Sequence, residues 1–279
     1  MTADTSTLTR TVAVGLAVVL VASLGVGSVV STTQDAEGES ATVRIAHMSP
    51  DAPAVDVQVD NQTVFQNLEY GDVTEFTELE SGEHQVTIVT ADNESVVFEG
   101  QLSLRANESY TITAAGEVSE NATQGFEPIA LRTDPAVPSE NESVVRLAHF
   151  SPDAGPIDVT LRQSGEVVAD NLTFGNATEY ATLPSGVYTF EVRAAAEDNN
   201  GTVVATFNES LLGGTAYTAF AAGYASPEDA PADAPLQLFV EVDAGGETNA
   251  SETQRTDRAR QPEQAEETTT APGETTTEA

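Results

Sequence analysis

The sequence contains no cysteine, no tryptophan and no lysine. Without thiols it has no disulfide, no cysteine-based zinc site, no thiol nucleophile and no lipid-modified N-terminal cysteine, so stability must come from packing. Without tryptophan it lacks the largest side chain for stacking on sugar rings. Without lysine, arginine is the only cationic side chain besides histidine: 10 basic residues stand against 45 acidic ones, a formal net charge of -35. Such a charge repels phosphate backbones, and no basic patch offsets it, which argues against nucleic acid as a partner. In 1 M salt the screening length falls to about 3 Å, so self-repulsion on this scale is tolerated. The composition therefore predicts a surface adapted to concentrated salt, in a halophile.

The two ends differ from the middle. Residues 11–30, TVAVGLAVVLVASLGVGSVV, form an uncharged run behind Arg10. Its length suits an N-terminal hydrophobic helix crossing a bilayer, while Ser28 to Ser31 offer small residues that a signal peptidase accepts. Residues 1–31 thus read as a cleaved signal peptide or a membrane anchor. Both alternatives place the rest of the chain outside the cell, secreted or held at the surface. After Val242 no Val, Ile, Leu, Met or aromatic residue occurs. Residues 244–279 accordingly read as a disordered, acidic, Thr-rich tail.

Between the ends lies an internal duplication. VRIAHMSPDAPAVDV at 43–57 recurs as VRLAHFSPDAGPIDV at 145–159, with ten of fifteen positions identical. NLEYGDVTEFTELESG at 67–82 likewise returns as NLTFGNATEYATLPSG at 171–186. These matches define two units, 43–134 and 145–243, joined by TDPAVPSENES, which reads as a short exposed linker. Apolar residues alternate within each unit, as at Val55, Val57 and Val59 or Ile157, Val159 and Leu161. Period two predicts strands. The expected class is all-β: two tandem immunoglobulin-like antiparallel β-sandwiches of about seven strands each, with a small barrel as the alternative.

The duplicated AHMSPDAPAVDV and AHFSPDAGPIDV segments, with the Ser-Gly turn and a later Tyr-Thr strand, resemble the domain of unknown function 4397 family. The resemblance covers about 200 residues. It implies a β-sandwich module of exported proteins, often in tandem, and brings no established activity, cofactor or catalytic residue. Together with the composition it gives the pattern of a haloarchaeal-type exported surface protein.

His47 and His149 occupy equivalent positions, followed by Asp51 and Asp56 or by Asp153 and Asp158. A histidine with two carboxylates suits a metal, and the four aspartates are candidate calcium ligands supplying only part of a six-to-eight-oxygen shell. The competing reading makes each histidine a core-edge residue bonded to the aspartate-rich turn, with the aspartates serving turn chemistry. No nucleophile elbow, His-Glu-x-x-His pair, phosphate loop or dinucleotide fingerprint occurs, so a non-enzymatic protein without cofactors is expected. Ten Asn-x-Ser/Thr sequons, candidate glycosylation sites, begin at Asn61, Asn93, Asn107, Asn121, Asn141, Asn171, Asn176, Asn200, Asn208 and Asn249. The aromatics Phe65, Tyr70, Phe76, Phe174 and Tyr180 sit within the repeat pattern, which leaves little for sugar stacking. The expected role is structural or adhesive contact in the envelope, with surface-layer proteins as partners. The alternative is an extracellular polysaccharide- or peptide-binding module, accessory to an enzyme or transporter.

Overall fold

The computed structural model describes residues 39–246. The hydrophobic run at 11–30, nearly all of the tail and Asn249 lie outside the described residues. In the first repeat eight strands follow in order: β1 (Ser40–His47), β2 (Val55–Val59), β3 (Gln62–Leu68), β4 (Thr77–Glu80), β5 (Gly82–Thr90), β6 (Val96–Leu104), β7 (Ser109–Ala115) and β8 (Glu127–Arg132). The second repeats them as β9 (Glu142–Phe150), β10 (Ile157–Leu161), β11 (Val167–Leu172), β12 (Ala181–Pro184), β13 (Gly186–Ala194), β14 (Val203–Leu211), β15 (Thr215–Ala222) and β16 (Gln237–Gly245).

Each repeat is a sandwich of two four-stranded sheets. The sheet orders are β4-β1-β7-β8 over β3-β2-β5-β6, and β12-β9-β15-β16 over β11-β10-β13-β14. Val43, Ile45, Val57, Ile88 and Ile112 fill the first core, and Leu147, Val159, Phe190, Val192 and Ala219 the second. Eight strands replace the expected seven because β4, TELE, is only four residues long and largely exposed, so it carries almost no apolar period. The order also departs from the immunoglobulin-like expectation. The first strand runs parallel to the seventh, Ile45 beside Ile112, and Leu147 beside Ala219 in the second repeat. An immunoglobulin constant domain instead divides its seven strands as ABED and CFG.

A third apolar cluster lies between the sandwiches. The outer face of the β1 sheet packs on the outer face of the β9 sheet through Ala46, Met48, Ala115, Ala148, Phe150, Phe220, Ala222 and Phe239. The molecule is therefore a four-layer stack whose two middle sheets are covered on both faces. Burial follows: every residue of β15 is buried, whereas β14 on the outside alternates. Reciprocal contacts relate the repeats by an approximate two-fold axis. Gly71 of the first lies against Phe239 of the second, and Gly175 of the second against Ile129 of the first. Both glycines have positive φ, +89° and +79°, and a Cβ at Gly71 would meet the Phe239 ring at 2.5 Å.

Two arginines cross this interface. Arg44 Nε donates to Thr111 Oγ1 at 2.9 Å, its Nη1 donates to the Val242 carbonyl at 2.9 Å, and its Nη2 pairs with Asp243. Arg146, its equivalent, donates from Nε to Thr218 Oγ1 at 2.7 Å, from Nη1 to the Arg132 carbonyl at 2.6 Å and from Nη2 to Thr133 Oγ1 at 2.7 Å. The guanidinium of Arg44 lies over Phe76 at 4.7 Å and that of Arg146 over Tyr180 at 4.9 Å. Tyr180 Oη and Thr218 Oγ1 both donate to Asp243 Oδ2. Burial lowers the Arg146 pKa, and the like charge of Arg44 adds to that while Tyr180 and Asp243 oppose it. Thr133 is 2% exposed, so the first residue of the expected exposed linker is instead part of the interface.

Replacing Asp243 with alanine removes the carboxylate paired with the buried Arg44 and one of those offsetting the charge of Arg146, a change expected to cost about 3–5 kcal/mol. Denaturant unfolding in concentrated salt measures it, and a loss below about 1 kcal/mol would reduce the pair to the worth of a surface ion pair.

Candidate functional site

Register fixes which loops share an end. Ser40 pairs with Glu80, and Thr215 with Gly245, so Glu39 and Gly246 leave the molecule at one end. The strands rise about 3.3 Å per residue, which puts the other end roughly 25 Å away. There, both Ser-Pro-Asp-Ala turns and both connections into the last strand of each repeat come together. The two repeats touch at that end through equivalent residues: buried Tyr224 donates from Oη to Glu117 Oε1 at 3.1 Å. Glu117 Oε2 accepts the Thr123 N–H at 2.6 Å. Burial, reinforced by the carboxylates of Asp51, Glu117 and Asp153, raises the Tyr224 pKa and keeps its hydroxyl a donor.

The repeated motif builds this end. His47 Nε2 lies 3.2 Å from the Pro53 carbonyl, and Nδ1 faces the Ser49 N–H at 3.4 Å. A carbonyl only accepts and an N–H only donates, so the ring is neutral with its proton on Nε2. His149 repeats this with the Gly155 carbonyl at 2.7 Å and the Ser151 N–H at 3.3 Å. Both histidines are fully buried, and desolvation lowers the pKa of each.

All four candidate calcium ligands accept backbone amides. Asp51 takes the N–H groups of Val118 and Ser119 at 2.9 and 3.0 Å, and Asp153 those of Ala225 and Ser226 at 2.7 and 2.8 Å. Each aspartate thereby ties the motif turn to the connection after β7 or β15 through two charge-assisted bonds. Asp56 accepts the Asn67 N–H at 2.7 Å; Asp158 accepts those of Asn171 and Ala196 at 2.8 and 2.9 Å. Asn67 and Asn171 have positive φ, 50° and 49°, so the second aspartate fastens a left-handed kink in the neighbouring strand. Among the described residues, no three of His, Asp or Glu converge as a metal site.

The surface at this end is acidic. Its loops carry Glu120, Asp153, Glu228, Asp229 and Asp233 exposed, and the segments 48–54, 116–126, 150–156 and 223–236 contain no arginine. The exposed Arg105, Arg132 and Arg162 lie toward the end where the described chain begins and finishes. The aromatics of the repeat are committed elsewhere. Phe65 is in the first core, Tyr70 and Phe174 pack on the inter-repeat cluster, and Phe76 and Tyr180 lie under the arginines.

Two outcomes follow. A group whose folded pKa lies below its unfolded value gives stability that is present above the unfolded pKa and lost as pH falls through the folded one. For His47 and His149 the loss begins near the ordinary histidine value of about 6.5. His84, where burial is outweighed by its bonds to Asp60 and the Glu80 carbonyl and the pKa is raised, works in the opposite direction. Relative to the wild type, the His47→Gln, His149→Gln double variant is therefore expected to lose less unfolding free energy as pH is lowered from about 7.5. Because the four aspartates are already bonded to amides, calcium and magnesium at equal ionic strength are expected to give the same melting temperature. A rise specific to calcium would assign them to a cation.

No curated protein matches the sequence. Among solved structures, the Bacillus anthracis TIE protein is similar at 13% identity and a TM-score of 0.21 over 67% of this chain and 34% of that one, so this chain spans about a third of its length. Family 41 carbohydrate-binding modules from streptococcal virulence factors, in a structure of alpha-glucan recognition, match at 12% identity and 0.22 over 64% of this chain and 92% of that one. A family 26 carbohydrate-binding module from Eubacterium rectale, in complex with maltoheptaose, matches at 11% identity and 0.21 over 75% and 98%. Scores of this size carry no argument about function. The sequence itself is matched over residues 41–160 and again over 159–255 by the model of one family, and the chain belongs to that family, the domain of unknown function DUF4397.

Proposed function

We infer that the protein is a non-enzymatic contact module of the cell envelope, exported and held at the surface through residues 11–30. In this reading its paired motif loops are turned outward. The observation that carries it is the joining of two sandwiches into one stack whose ends differ: the described chain begins and finishes at one end, and the duplicated loops lie at the other. A tether at the first end leaves the second free to meet neighbours. The lysine-free, acidic composition supports a setting of concentrated salt, where an acidic loop end can lie close to other acidic surfaces.

Surface-layer protein or a second copy of this chain suits such contacts. A polysaccharide would find few stacking partners, because Tyr70, Phe76, Phe174 and Tyr180 are occupied within the inter-repeat interface. In intact cells kept in their native salt, a carboxylate-directed crosslinker is expected to join loop-end residues such as Glu120 and Glu228 to surface-layer protein or to a second copy. Links mainly to a hydrolase or transporter would instead make the protein an accessory module.

A further inference from the structure

The chain has 12 asparagines, and 10 of them begin an Asn-x-Ser/Thr sequon. Ser and Thr are 54 of the 279 residues, so chance would give about two. The other two asparagines, Asn67 and Asn199, have φ of 50° and 54°, where asparagine is better tolerated than most residues, and Asn61, Asn107 and Asn171 among the sequons share that backbone reason with φ of 64°, 60° and 49°. The other described sequon asparagines have no left-handed backbone to explain them. All nine described sequon asparagines are exposed.

Geometry divides these nine. Asn176 donates from Nδ2 to Thr173 Oγ1 at 2.8 Å and to the Phe174 carbonyl at 3.2 Å, and Thr178 Oγ1 accepts the Leu147 N–H. That sequon is explained by turn and strand structure alone, as Asp72 and Thr74 explain its counterpart in the first repeat. Thr173, which completes the Asn171 sequon, is engaged by Asn176. Ser143, which completes the Asn141 sequon, is buried with Oγ bonded to the Leu183 carbonyl. Ser109, which completes the Asn107 sequon, shares a 2.5 Å hydrogen bond with Thr42. The remaining five have Thr63, Ser95, Thr123, Thr202 and Ser210 exposed, each with a hydroxyl that bonds no described residue.

We propose that Asn61, Asn93, Asn121, Asn200 and Asn208 are N-glycosylation sites used on the folded domain, and that Asn107, Asn141, Asn171 and Asn176 are closed. The donor is a glycan linked at its anomeric carbon to a lipid phosphate. The asparagine Nδ2 bonds to that carbon, the carbon–oxygen bond to phosphate breaks with its electron pair, and the amide gives up one proton. Placement favours the reaction. Asn61, Asn93 and Asn200 sit in hairpin connections, where a bulky group meets no neighbouring strand. Asn93 Oδ1 accepts the Thr90 hydroxyl and the Ser95 N–H, which leaves Nδ2 unengaged. Asn208 is in the middle of β14, an edge strand, where asparagine is ordinarily disfavoured. A glycan there would block strand addition along nine residues of open backbone.

The inference rests on export, because the transfer occurs on the outer side of the membrane. The full chain, expressed in its own producing cells, is to be fractionated and its peptides mapped by mass spectrometry. Glycan on four or all five of the open sites, with Asn107, Asn141, Asn171 and Asn176 bare, is the expected result. Glycan on three or fewer of them, or on any of Asn107, Asn141, Asn171 and Asn176, overturns the proposal. Extracellular protein that is bare overturns the glycan assignment alone, whereas protein retained inside the cell overturns the export reading and this one with it. In Thr202→Ala the asparagine stays but the hydroxyl is gone, and the glycan at Asn200 is expected to vanish; its persistence would show that the sequon is not what is recognised.

Discussion

The interface between the repeats depends on two guanidiniums placed where water cannot reach them. A buried arginine is tolerable only if its donors are satisfied and its charge is offset, and neither repeat does this alone. Arg44 finds its carbonyl and carboxylate on the second sandwich; Arg146 finds its carbonyl and hydroxyl on the first. Separating the repeats would expose the apolar cluster around Phe150 and Phe220 and strip both arginines of partners in the same step. Hydrophobic burial supplies driving force across the middle sheets, while the arginines restrict where those sheets can meet.

The departures from symmetry matter as much as the symmetry. Thr133 stands where the second repeat has Asp243, and Glu117 where it has Tyr224. Two copies of the first repeat packed in this way would hold two arginines without a carboxylate and would set Glu117 against Glu117. Two copies of the second would set Tyr224 against Tyr224, with no acceptor carboxylate between them. The differences between the halves therefore favour pairing of unlike repeats, which a tandem chain provides within itself, over association of like ones.

Much of each sandwich can be read from period two, because β2 buries every second residue and β10 turns Ile157, Val159 and Leu161 into its core. The strand count is harder to read. β4 has so little apolar content that alternation cannot reveal it, and its place at a sheet edge follows from pairing with β1 over four residues. The inter-repeat face leaves a fainter trace. In VRIAHM the residues between the inward Val43, Ile45 and His47 are Arg44, Ala46 and Met48, and a strand apolar on both faces is one buried on both. Arginine within such a run, at the same place in each repeat, is the further sign, since only a partner surface could accommodate it. Asp51 and Asp153 could be placed near the turn from sequence, but not the amides they accept, which lie 67 and more residues away.

The parallel pairing of β1 with β7 has a mechanical side. β1 is the first strand of the described residues and is flanked on one side by β4 and on the other by β7. When the chain is held at its N-terminus and pulled from the far loops, the load runs along β1 rather than across it. The hydrogen bonds to both neighbours then bear it side by side in shear, and none can open before the others as in a zipper.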